Sequence, residues 1–172
     1  QGADYYSGGI IIEIPESKVK VTDLSPVEPS FVIEDNGDLI LRVFFETHIG
    51  RITKYIKVSN ANEQIKLSYK LSEIKRYISS ARVGNLTLSP EFSRSFDSYS
   101  CQTGGSNKSE FQVNGSINQS QAATSFVSSS RGFSGTAGDL LLDCSGRGVL
   151  ISWDPSECSP LCFIDHKDDY TR

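Results

Sequence analysis

The sequence predicts an all-β fold: an antiparallel β-sandwich, loosely immunoglobulin-like, or a barrel, with one short helix near 72–80. Three observations carry this expectation. Apolar and polar residues alternate with period two along most of the chain. An Asn36-Gly37 pair separates two β-rich runs. A second apolar pair of runs, Leu140 to Cys144 and Val149 to Trp153, flanks Ser145-Gly146-Arg147-Gly148.

Taken in order, Ile10 to Ile14 reads as a strand ended by Pro15, and Val19 and Val21 alternate with lysines. Phe31 to Ile33 and Leu39 to Phe45 read as a hairpin, with Asn36-Gly37 as a type I′ turn. Leu39, Leu41, Val43 and Phe45 line one face of the outgoing strand, and Ile40, Arg42, Phe44 and Glu46 the other. His48-Ile49-Gly50 reverses the chain, so residues 31–70 read as an antiparallel meander through Ile52–Val58 and Ile65–Tyr69. Leu71, Ile74 and Ile78 keep helical spacing, with Ser72 as a cap and Glu73 in the first turn.

From 103 to 138 the character changes: 24 of these 36 residues are Gly, Ser, Thr, Asn or Gln. The pattern reads as polar strands joined by loops, with Phe111, Val113 and Ile117 at even spacing and a further apolar point at Phe126-Val127. The Leu140 and Val149 strands are apolar at nearly every position and are expected to lie centrally, covered on both sides. One domain is expected over 1–164, followed by a solvated charged tail or linker over 165–172.

Composition excludes several function classes. A net charge of −4 and the lack of a basic run interleaved with aromatics argue against nucleic acid. No apolar run of 18 residues is present, so no membrane insertion by this segment is expected. The 172 residues lack Met and a recognisable signal peptide, and read as a mature or excised segment. No phosphate-binding glycine loop opens a helix, and the Cys158-x₃-Cys162 spacing lacks the partners of a zinc site. No cofactor or metal is expected. Gly132-Phe133-Ser134-Gly135 lacks the spacing of a nucleophile elbow. His48 in a turn and His166 in the charged tail offer no rigid general base. No catalysis is expected.

Four of the seven asparagines open an Asn-x-Ser/Thr triplet: Asn85, Asn107, Asn114 and Asn118. Asn114 and Asn118 are expected to point the same way on one strand. The cysteines are even in number: Cys101, Cys144, Cys158 and Cys162. In an oxidising compartment they read as two disulfides, with Cys101–Cys144 and Cys158–Cys162 favoured among three pairings. Arg147 at a hairpin tip, and Phe44 with Tyr55 on the second face of the meander, are the candidate binding residues. Tyr5-Tyr6 is expected to pack over the sheet.

These features point to a non-catalytic recognition or adhesion module of a secreted or surface-exposed glycoprotein. The parent would be a cell-surface receptor or a viral envelope glycoprotein, extracellular or on a virion surface. Its partner would be a protein or a glycan on another surface. The alternatives are a bacterial carbohydrate-binding surface adhesin and a secreted hydrolase whose site is not visible in sequence.

Overall fold

A computed structural model describes residues 7–14, 19–78, 80–103, 105, 107–119 and 132–172. The fold is mostly β and antiparallel, sandwich-like, with one short helix; no closed barrel is found among the described residues. Contacts gather in two compact units, Gln1–Leu86 and Thr87–Arg172, a division inside the span read as one domain. Tyr5-Tyr6, Pro15 and Phe126-Val127 lie outside the described residues.

The first unit contains β1 (Ile10–Ile14), β2 (Val19–Thr22), β3 (Ser30–Ile33), β4 (Leu39–Thr47), β5 (Gly50–Val58), β6 (Ile65–Ser72) and β7 (Ser80–Val83). They form two sheets, β2-β1-β7 and the expected meander β3-β4-β5-β6. Ile10, Ile12 and Ile14 share one face of β1 and meet Phe45, Ile49 and Ile52 in the core, joined by Val21. Behind this apolar contact sits an ion pair. Lys54 Nζ lies 2.9 Å from Asp23 Oδ2, and both side chains are nearly enclosed. The other oxygen of Asp23 accepts from the Ile10 amide at 3.1 Å, so the carboxylate is satisfied on both sides.

The first hairpin departs from its expected turn type. Gly37 has φ +85° while Asn36 stays at negative φ. The Gly37 amide donates to Glu34 O at 2.8 Å, and the Glu34 amide to Asp38 O at 2.9 Å. This is a three-residue loop with a type I turn and a glycine bulge, not a type I′ turn. Asn36 Oδ1 accepts from the Asp38 amide at 3.0 Å, which holds the side chain in an Asx turn.

No helix forms among the described residues of 72–80. Ser72 is still paired with Arg51 in the β5–β6 ladder, and Glu73 has φ +54°. The Lys75 amide donates to Ile49 O at 2.9 Å, across to the β4–β5 turn rather than along a helix. Ile78 packs on the core as an irregular segment, so its spacing from Leu71 and Ile74 is not helical periodicity.

The second unit opens with the one described helix, α1 (Pro90–Arg94). Ser89 caps it by accepting from the Phe92 amide, Pro90 fills the first turn and Glu91 lies near its positive end. There follow β8 (Ser98–Thr103), β9 (Asn107–Gln112), β10 (Ile117–Asn118), β11 (Asp139–Cys144), β12 (Arg147–Ser152), β13 (Asp165–Lys167) and β14 (Tyr170–Thr171). Their sheets are β12-β11-β8-β9 and β10-β13-β14. Phe96, Tyr99, Leu140, Leu142 and Ile164 make the core.

Two expectations for this unit are corrected. β12 is an edge strand, and Leu150 on it is 64% exposed, so the Leu140–Trp153 hairpin is not covered on both faces. Buried Leu140, Leu142 and Cys144 alternate with half-exposed Leu141 and Asp143 along β11. Residues 165–172 are not a solvated tail. They form the β13–β14 hairpin, with Asp165 and Arg172 exchanging both backbone hydrogen bonds and Arg172 Nη2 3.1 Å from Asp165 Oδ2. Asp165 pairs with Arg172, while Lys167, Asp168 and Asp169 stay exposed at the hairpin turn.

The burial gradient in the first unit gives a direct stability contrast. Ile12→Ala should cost about 3 kcal/mol or more, from lost burial plus a residual cavity. Phe31→Ala should change stability by less than about 0.5 kcal/mol. Urea unfolding midpoints of the two variants against the parent check both.

Candidate functional site

The meander is longer than the sheet that covers it. Its inner face can be followed row by row. Phe45, Ile52 and Leu71 form one row; Val43, Lys54 and Tyr69 the next; then Phe31, Leu41, Ile56 and Leu67; and finally Ile33, Leu39, Val58 and Ile65. Phe45 and Ile52 are buried, whereas Ile33 and Ile65 are 68% and 66% exposed. The β2-β1-β7 sheet therefore covers one end of the meander only. The far end is an apolar platform of Phe31, Ile33, Leu39, Leu41, Val58 and Ile65. Within its sheet, β3 bonds only to β4. Phe31, Val32 and Ile33 on this edge are all more than 60% exposed, so it presents apolar side chains on both faces and backbone groups along its rim.

A polar clasp holds the platform's hairpin. Lys57 Nζ lies 2.6 Å from Glu34 Oε2 and 2.9 Å from Asp38 Oδ2, and Asp38 Oδ1 accepts from the Asn60 amide at 2.9 Å. The Asn60 amide and the Lys57 ammonium hold the Asp38 carboxyl below its usual range, and its two acidic partners raise Lys57. Beside the clasp is an open cleft of about 320 Å³, lined among others by Asn36, Asp38, Lys57, Asn62 and Gln64.

Phe44 and Tyr55 do share the second face of the meander, as Arg42↔Tyr55 and Phe44↔Thr53 pairing dictates. Phe44 is 53% exposed, while Tyr55 is half-buried. The inner-face platform and edge β3 escaped the sequence reading, because alternation marks a face as apolar without saying how far its cover extends. Arg147 begins β12 and is exposed. Ser145 at φ +48° and Gly146 at φ +86° form a two-residue type I′ turn before it. Asp97 accepts from both the amide and the hydroxyl of Ser145, which rigidifies this tip. Arg147 belongs to the second unit and the platform to the first.

The acceptor asparagines divide. Asn107, Asn114 and Asn118 are exposed. Asn114 lies in the β9–β10 connection and Asn118 on β10, so the two do not share one strand as expected. Asn85 is different: its Nδ2 atom is enclosed and has no hydrogen-bond partner. That atom is the point of glycan attachment, so a sugar there would have to displace the groups that enclose it.

All four cysteines are thiols in this structure. A Cys101–Cys144 bond is ruled out by register. Leu141 faces Ser100, so Cys101 stands opposite position 140, four residues from Cys144. At about 3.4 Å per residue that is roughly 13 Å, about twice the Cα separation a disulfide spans. Cys144 Sγ instead lies 3.7 Å from Phe92 O.

His166 is rigid after all, on β13 and 5% exposed. Its Nδ1 is 2.9 Å from Thr171 Oγ1. Thr171 Oγ1 donates to Ser93 Oγ at 3.0 Å, and Ser93 Oγ donates to Ser89 O at 3.0 Å. With both hydroxyl protons committed, His166 Nδ1 carries the proton and donates to Thr171. Ser93 is 2% exposed, so this chain fixes the junction of α1 with β13 and β14 and offers no reachable nucleophile. Among the described residues, no group of three or more His, Cys, Asp or Glu side chains is arranged to hold a metal. No helix there is long and apolar enough to cross a membrane. Comparison with known protein families, curated proteins and solved structures finds no match.

Two outcomes follow from this geometry. In a eukaryotic secretory host, peptide mapping should find sugar on Asn107, Asn114 and Asn118 and none on Asn85; occupancy at Asn85 would mean its amide is not enclosed. Burial lowers the His166 pKa below its ordinary value, against the opposing pull of Asp168 and Asp165. The stability it contributes is therefore complete above about pH 6.5, the unfolded value, and is lost as pH falls through the lower folded value. Thermal melts from pH 7.5 to 5 should show a declining Tm, with a flatter decline in His166→Gln.

Proposed function

We propose that the chain is a non-catalytic recognition module of a secreted or surface-exposed glycoprotein, such as a cell-surface receptor or a viral envelope ectodomain. Its partner is a protein, bound at the β3 edge and the adjoining platform. The observation that carries this reading is the exposure of Phe31, Val32 and Ile33, 68%, 61% and 68%, on a sheet edge. Burying such side chains yields about 25 cal/mol per Å² of apolar area. An extended partner segment laid against β3 gains backbone hydrogen bonds as well, with its alternate side chains falling on the platform. Phe44 lies on the other face of the same sheet and widens the contact for a larger partner. The three exposed acceptor asparagines, all in the second unit, support a secretory route.

Glycan recognition, the adhesin reading, draws support from the polar cleft beside Asp38. That cleft has no aromatic ring in its lining on which a sugar could stack, which places it second.

Selection of displayed ten-residue peptides on the immobilised protein tests the first reading. Selected peptides should alternate apolar and polar residues and slow amide exchange in β3. Phe31→Asp with Ile33→Asp should weaken them at least tenfold, since each residue would lose an apolar contact worth on the order of 1 kcal/mol. Peptides indifferent to the double variant, or reproducible labelling of one Ser or acidic residue by hydrolase probes, would overturn it.

A further inference from the structure

We propose that Cys101 and Cys162 are a redox pair, closing to a disulfide across the segment 133–136 when the protein meets an oxidising thiol buffer. The two lie 61 positions apart in sequence, and the fold brings their surroundings together from both sides of one short stretch. On one side, Phe133 and Cys162 exchange both backbone hydrogen bonds, at 3.1 and 2.7 Å, so their side chains leave the pair on a common face. On the other, the Thr136 amide donates to Gln102 O at 2.7 Å. Gly135 sits against β8 so closely that a Cβ there would lie 3.4 Å from the Cβ of Cys101. Phe133 carries the same face forward: its ring centroid is 5.3 Å from that of Tyr99, which shares a face of β8 with Cys101. A side chain at 135 would crowd the Cys101 Cβ and Asp139 O, so glycine there leaves the surroundings of Cys101 open.

Electrostatics agrees with the geometry. Burial, together with the neighbouring Cys101, pushes the Cys162 thiol up to about 11. Burial and Asp139 raise Cys101. Both thiols are therefore protonated at neutral pH and slow to react. Cys162 is half-buried and Cys101 only 2% exposed, which orders the chemistry. The Cys162 thiolate attacks oxidised glutathione, forming a mixed disulfide and releasing one glutathione thiolate. The Cys101 thiolate then attacks the Cys162 sulfur and expels the second. Two protein thiols lose two protons and two electrons, and one glutathione disulfide becomes two glutathiones. This pairing replaces Cys101–Cys144, and it competes with Cys158–Cys162 for the same sulfur. It stands whether or not the β3 edge binds a partner.

The test is oxidation of the folded, reduced chain with oxidised glutathione, alkylation of remaining thiols, and a non-reducing peptide map. The expected product links Cys101 to Cys162, forms about tenfold faster at pH 9 than at pH 8, and persists in Cys158→Ala. It should vanish in Cys162→Ala. A map dominated by Cys158–Cys162, or four alkylated cysteines after oxidation, overturns the proposal; the parent map alone decides it if a variant does not fold.

Discussion

A mismatch of length governs the first unit. Strands β4 and β5 have nine residues each, whereas β1, which packs against them, has five. The short strand buries Ile10, Ile12 and Ile14 against Phe45 and Ile52 and reaches no further along the meander than that core. Past Leu67 the β2-β1-β7 sheet no longer covers the meander, and Phe31, Ile33 and Ile65 are exposed there. The hairpin at that end is held by polar contacts instead, through Lys57 between Glu34 and Asp38. Because such a clasp is partly wet, it fixes geometry more than it adds stability. The enclosed Asp23–Lys54 pair works differently. It sits where the layers meet, Asp23 also anchors the Ile10 amide, and loss of either partner would strand a charge away from water.

The second unit solves its small size by burying polar groups in a completed chain. His166, Thr171, Ser93 and Ser89 pass hydrogen bonds in one direction, and Phe96 meets the imidazole edge-on at 5.2 Å between centroids. Gln119 closes a second bond set, accepting from the Ile164 amide while its own amide donates to Ile164 O. Such satisfied networks specify one arrangement of short strands that backbone ladders of two or three residues would not hold alone.

Much of the strand pattern was legible because burial on one face writes a period of two into the sequence. The meander over 31–70 and both hairpins were readable this way, as was the division of Leu41 from Phe44 between faces. Three things were not. The Asp35-Asn36-Gly37 loop took a bulged turn because the Asn36 side chain bonded its own backbone, a choice composition does not reveal. Ile74 and Ile78 mimicked helical spacing in an irregular segment, while Ser89-Pro90-Glu91, a sound helix start, passed unnoticed. The run of charges over 165–172 hid the β13–β14 hairpin, in which Asp165 pairs with Arg172. Of the candidate site, Phe44 was visible from alternation, but the platform depended on how far the β2-β1-β7 sheet reaches over the meander, which is a fact of tertiary packing.

Strand β3 carries neither lysine nor bulge along its rim, while the opposite rim, β6, carries Lys66 and Lys70. Two copies meeting β3 to β3 would pair antiparallel about a two-fold axis and use up the open rim of both, so growth would stop at two. Joining β3 to β6 instead would repeat without limit, and the lysines oppose it. For contacts made through this sheet alone, the asymmetry between the rims favours a closed pair over a fibre.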